Sequence, residues 1–258
     1  MSRVAKGLSL VAGGAVSAGR ASSPALAGEV AARSADGGVW HASRRRLHHS
    51  SDGPPPLETE GRKATLSELF AAHPRDSGWA GFLLTQVGTD KPVLWVQERM
   101  AILESGRVHP PGLPTQNLVH VEARDAKDAL WAMEEGVRCS CLSAVIGELW
   151  GDPRALDFTA TRRLAVASER SGTPCWLVRL GGSANLSGAR MRWRIGSAPS
   201  LMHPFDGRAP GTPAWDAELF RARGLPPGRW TLAHEADRFH LVTGAGDRAL
   251  GEEQRLTA

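Results

Sequence analysis

Three arrangements in this 258-residue chain are candidates for chemistry: a strand-to-helix junction, acids at strand ends, and a strand with alternating arginines. A phosphate loop reads GxxxxGK followed by Ser or Thr. Its glycines let backbone N–H groups approach the phosphates, its Lys meets their charge, and its hydroxyl holds magnesium. The corresponding junction here reads Ala71-Ala72-His73-Pro74-Arg75-Asp76-Ser77-Gly78-Trp79-Ala80. Only Gly78 fits. Trp79 stands in the Lys position and Ala80 in the hydroxyl position. Asp76 directs a carboxylate toward where phosphates would lie, and Pro74 removes a backbone donor. Arg75 lies on the wrong side of the turn to replace the Lys. The junction Arg75, Asp76, Ser77, Gly78, Trp79 is therefore a degenerate phosphate loop, with no cofactor and no catalytic residue expected.

Acids follow two apolar runs. Glu98 comes after residues 92–96, where a water-activating acid would sit in a nucleotide hydrolase. Glu148 follows residues 142–146, where a magnesium-binding acid would sit. Both lie at strand C-termini, the functional edge of an open parallel sheet. Without a phosphate cradle, they read as ordinary acids of strand ends. No GxSxG elbow is present. His73, His109, His120, His234 and His240 are too dispersed for a helical metal face, and no metal site is expected. In Arg190-Met191-Arg192-Trp193-Arg194-Ile195, period-two alternation sends three guanidiniums to one strand face. That face reads either as a solvated surface or as a contact to phosphates of single-stranded DNA.

The elements that would position these residues alternate between strand and helix. Leu66, Leu69 and Phe70 open the folded part, and Trp79, Phe82, Leu83 and Val87 recur at helical spacing. Strands are expected at 92–96, 118–121, 142–146 and 175–178. Those at 92–96 and 142–146 are apolar enough to be buried on both faces. Between the second and third lies a helix capped by Asp125, with Ala126, Ala129, Leu130, Met133 and Val137 on one face. A second helix starts at Asp152-Pro153 and stops at Ser171-Gly172. Such alternation predicts an α/β fold with a mostly parallel sheet flanked by helices. After Gly181 the pattern changes to strands at 190–195, 214–221, 230–232 and 239–242, an antiparallel C-terminal extension.

The formal net charge is +4, but it is uneven. Residues 1–50 carry seven basic residues against two acidic ones, so the rest of the chain is close to neutral. The high pI is thus no argument for a nucleic-acid groove in the folded part. Residues 1–63 are rich in Gly, Ala, Ser, Arg and Pro and read as a disordered basic leader. Residues 64–243 form the folded domain, and residues 244–258 a flexible tail. Arg3 and Lys6 before Ala25-Leu26-Ala27 resemble a signal peptide, but Arg20 interrupts the stretch. With no long apolar run, no membrane contact and a cytoplasmic location are expected. Cys139, Cys141 and Cys175 lack CxxC spacing and read as small buried residues. There are nine Trp and no Tyr. Trp79, Trp131 and Trp150 fall where they could face outward, as interface anchors do.

From about Leu66 to Val242 the chain resembles the ImuA family. The likeness is carried by Leu66-Ser67-Glu68-Leu69-Phe70-Ala71-Ala72, Val93-Leu94-Trp95-Val96-Gln97 and Ala129-Leu130-Trp131-Ala132-Met133-Glu134-Glu135. It continues through Ala144-Val145-Ile146-Gly147-Glu148-Leu149, Thr161-Arg162-Arg163-Leu164, Arg192-Trp193-Arg194-Ile195 and Ala198-Pro199-Ser200. The resemblance implies a RecA-like core with a lost nucleotide site. It also implies a non-catalytic role in SOS-induced translesion synthesis and DNA-damage mutagenesis, beside the polymerase homologue ImuB, RecA and an error-prone replicative-type polymerase. Trp131, Glu134 and Glu135, and the strand with Arg190, Arg192 and Arg194, are the candidate contacts. The alternatives are a RecA-like protein that binds ATP or DNA, and a cell-division inhibitor of SulA type.

Overall fold

The computed structural model describes residues 9–12, 64–88, 90–110, 113, 117–203, 205–206, 208–235 and 238–241. Its described strands form one sheet in the order β1-β4-β3-β5-β6-β2-β7-β8-β9-β10. The strands are β1 (Ser9–Ala12), β2 (Leu66–Ala71), β3 (Val93–Glu98), β4 (Leu118–Ala123) and β5 (Ala144–Trp150). They continue with β6 (Cys175–Leu180), β7 (Met191–Leu201), β8 (Thr212–Ala222), β9 (Gly228–Glu235) and β10 (Arg238–Leu241). Along the sheet from β4 to β7 every pairing is parallel, and β7 through β10 pair antiparallel. The α/β sheet with an antiparallel C-terminal extension is thus the observed architecture. Of the stretch read as a leader, only Ser9–Ala12 is described, pairing antiparallel with β4. The rest of residues 1–63, and the tail 244–258, lie outside the described residues.

Among the described residues, four helices cover the two faces: α1 (Gly78–Leu84), α2 (Arg99–Ser105), α3 (Ala126–Val137) and α4 (Phe158–Ser171). Helices α1 and α2 share a core with one set of inward residues, including Leu69, Trp95, Ile146, Trp176 and Trp193. Helices α3 and α4 share the other, with Leu66, Leu94, Val96, Val145 and Leu177. Strands β3, β5 and β6 read as apolar runs because both faces are covered. Asp125 caps α3 by accepting from the Asp128 N–H at 2.9 Å. Gly172 ends α4 in the left-handed region, at φ 77°, which favours glycine. Within α3, Gly136 lets the helix close onto the sheet: a Cβ there would meet Leu94 Cδ2 at 2.2 Å.

Four readings change. Helix α4 begins at Phe158, not after Asp152. Asp157 is its cap, accepting from the Ala160 N–H at 2.7 Å, while Asp152 binds Arg179 and the Ser183 N–H instead. Cys139 and Cys141 form a disulfide, with Cα atoms 5.2 Å apart. The turn after α3 brings two cysteines with one intervening residue within bridging reach, which CxxC-based reasoning overlooks. Trp79 is buried, and six of the nine tryptophans belong to the core on the α1/α2 face. The short helix α2 follows β3 directly, a segment with too few periodic residues to announce itself.

Candidate functional site

The strand-to-helix junction is where the sequence places it, between β2 and α1. Its centre is a carboxylate. Asp76 accepts from the Gly78 N–H at 2.8 Å, the Ser197 N–H at 2.8 Å and the Ser197 hydroxyl at 2.6 Å. Burial pushes its pKa up. The three hydrogen bonds and the nearby His73 outweigh that and hold it below the ordinary carboxylate value. A backbone donor that a phosphate would use is therefore occupied by an internal anion, and a second anion there would meet like charge. The Arg75 guanidinium turns outward to Glu104 at 3.4 Å. Trp79 packs inward, tilted against Trp95 with ring centroids 6.3 Å apart. Ser77 precedes α1 without a side-chain capping bond.

Beside this junction a crevice of about 510 Å³ opens over β3 and β5, lined by Trp79, Trp95, Gln97, Arg107, His109 and Glu148 among others. Glu148 is buried on that face. Trp95 Nε1 donates to it, and Gln97 Nε2 donates at 3.0 Å. Burial pushes its pKa from 4.5 up to about 7 against the pull of those two bonds. Gln97 Oε1 in turn accepts from the Val108 N–H at 2.9 Å and lies 3.0 Å from His120 Nε2. His120 is held below its ordinary pKa, first by burial and then by the field of Arg107.

Glu98 points the other way. The register pairs Gln97 with Glu148, so Glu148 shares the Trp95 face and Glu98 the opposite one. Glu98 accepts from the Trp150 N–H at 3.0 Å. Its pKa is raised, chiefly by burial and further by Asp125, against N–H bonds from Trp150 and Ala126. Two acids on opposite faces of a sheet do not act on one metal or one water. Among the described residues no group of three or more His, Cys, Asp or Glu side chains converges as a metal site.

The three arginines of the β7 segment do not form a free stripe. Arg192 is buried, its Nε 2.6 Å from Glu68 Oε2, and its guanidinium lies over the Phe70 and Phe220 rings. Arg190 is held by Glu169 at 2.6 Å and Arg194 by Glu218 at 2.7 Å. The contact candidates on α3 lie together on the outer surface of the helical layer. Trp131 is 51% exposed, Glu134 binds Arg138 at 2.7 Å and also Arg163, and Glu135 binds Arg138 at 2.6 Å. Sequence reasoning missed the outer face of α4, where Arg162, Arg163 and Arg170 stand beside that patch. Their helical spacing is legible, but the apolar side of α4 draws the attention. It also missed the buried trio Glu68, Arg179 and Arg192. No helix of the described residues is long and apolar enough to cross a membrane.

No family model matches the chain. Two curated relatives, each named Protein ImuA and coming from two strains of Caulobacter vibrioides, are 34% identical to it over 170 residues. The match covers 60% of this chain and 67% of each relative.

Proposed function

The chain belongs to the ImuA family, and from that membership we propose that it is a non-catalytic accessory protein of SOS-induced translesion synthesis and damage-induced mutagenesis. The observation that carries the non-catalytic part is the Asp76 carboxylate, which takes up the Gly78 N–H and both donors of Ser197. In this reading the parallel core is a RecA-like scaffold whose phosphate cradle has been exchanged for an internal tie between α1 and β7. Its work is to present a surface, in the cytoplasm, to an ImuB-type polymerase homologue, to RecA or to an error-prone polymerase. We place that surface on the Trp131, Glu134, Glu135 side. Arg190, Arg192 and Arg194 are weaker candidates, because each guanidinium already faces a carboxylate.

The test is co-purification of the full chain with ImuB and with RecA from the same organism, with and without ATP. Capture of either protein, unchanged by ATP, supports the reading. Capture that requires ATP, or no capture of either by folded protein, overturns it.

A further inference from the structure

We infer that the groove between α3 and α4 is a docking site for an acidic, amphipathic helical segment of a partner protein. The inference deepens the reading of the chain as a scaffold, and rests on it for the partner being a protein. Helices α3 and α4 both cross over between parallel strands on one face of the sheet, so they run side by side in the same direction. Between their outer surfaces lie two adjoining hollows of about 550 Å³ and about 200 Å³, which share Glu134 and Arg163. The pair Glu134–Arg163 spans the groove and joins its walls.

Charge decides what fits. Beside the two hollows Glu135 holds Arg138, and within them Lys127, Arg138, Arg162, Arg163 and Arg170 face the single acid Glu134. That acid is already engaged by Arg138 and Arg163, and its side chain is only 12% exposed. The described residues include no ion pair for Lys127, Arg162 or Arg170. Positions 162 to 170 span about two helical turns, roughly 12 Å, so these cations reinforce one another within about one to two Debye lengths.

The floor decides between acidic partners. Exposed Val166 and half-buried Ala167 give the larger hollow an apolar base, over core Leu130 and Leu164, and Trp131 stands exposed at one end. Phosphates of a nucleic acid would answer the cations but leave that floor wet. A helix with leucine-like residues along one stripe and Glu or Asp on its flanks answers both, in the way amphipathic helices lie in apolar grooves. Trp131 is the natural anchor, being large and costing little entropy to hold.

The probe is a fluorescein-labelled peptide of about 16 residues, roughly four helical turns, with a Leu stripe and Glu flanks. Its binding to the full chain is read by polarisation. Controls are the same stripe with Lys flanks, and a single-stranded oligothymidylate of matching charge. The expected result is saturable binding of the Glu peptide only. It weakens about tenfold or more in Arg162→Glu/Arg170→Glu and in Trp131→Ala, and stays unchanged in Arg99→Glu, an exposed position on α2. These are surface positions, and melting temperature verifies that each variant folds. Equal binding of the Lys peptide, tighter binding of the oligonucleotide, or indifference to both groove variants overturns the inference. Groove binding without capture of ImuB or RecA removes the mutagenesis reading and leaves the docking site. Capture of either protein with no effect of the groove variants on capture or peptide does the reverse.

Discussion

Replacing Glu148 by Gln should make the protein less stable near pH 5 and more stable near pH 8. A carboxyl moved from 4.5 to about 7 costs the folded protein about 3 kcal/mol once ionised. Below pH 4.5 the folded and unfolded chains both hold the proton, and this group costs nothing. Between pH 4.5 and about 7 only the unfolded chain releases it, so stability falls as pH rises, and above about 7 the loss is complete. The substituted amide never ionises and escapes that loss. It does offer an amide group where the wild type offers two acceptor oxygens to Trp95 Nε1 and Gln97 Nε2. One donor is then left poorly matched, a penalty of about 1 to 2 kcal/mol against the ionised acid and smaller against the protonated one, which keeps only part of its acceptor capacity. The two stability curves should therefore cross below neutrality. His120, whose lowered pKa makes stability rise with pH, is present in both proteins and cancels in the difference. Urea unfolding followed by tryptophan fluorescence at several pH values measures it directly. By melting temperature the pH-dependent part is roughly 6 to 12 °C. A wild-type minus variant difference that is flat between about pH 5 and pH 8 would refute the argument that burial keeps Glu148 protonated below about pH 7.

Asp76→Ala should cost about 0.5 to 1.5 kcal/mol by removing the acceptor of Gly78 and Ser197, whose donors water can then reach. Because the Asp76 pKa is lowered, its contribution is present above the unfolded pKa and fades as pH falls, so wild type and variant should converge in acid unfolding. Glu68→Ala should cost about 3 to 5 kcal/mol, since it leaves buried Arg192 without its carboxylate; a chemical-denaturation midpoint equal to wild type would contradict the buried pairing. Gly136→Ala, favourable in a free helix, should instead destabilise by about 1 to 3 kcal/mol through the clash with Leu94, as read in a thermal melt.

How much of the molecule is readable in advance depends on the range of the interaction. The Asp125 cap, the Gly172 stop and the apolar runs of β3 and β6 are local, and the sequence states them directly. The cap of α4 is also local, yet Asp152-Pro153 outbids Asp157 on paper. The competing duty of Asp152 lies with Arg179 and the Ser183 N–H, 27 and 31 residues away. The arginine alternation correctly marks a strand and wrongly suggests a free stripe. What buries Arg192 is Glu68 on neighbouring β2, 124 residues distant, and no spacing within 190–195 discloses it. The same limit hides the divergence of Glu98 and Glu148. Each sits near a strand end, but which faces they take follows from the register pairing Gln97 with Glu148.

These long-range pairings bear on function through the same physics. At the β2–α1 junction the sequence lacks the Lys and the hydroxyl and already sets the Asp76 carboxylate where phosphates would lie. The structure adds what that carboxylate holds, tying α1 to Ser197 of β7, and under the proposed reading a Lys restored at position 79 would not restore a phosphate site. It would bury an ammonium beside Trp95 while the carboxylate still held the turn. Unpaired positive charge does occur on the outer side of α4, where Arg162 and Arg170 have no ion pair among the described residues. A search for contact residues is therefore better begun on that groove than on the arginines of β7, each of which already faces a carboxylate.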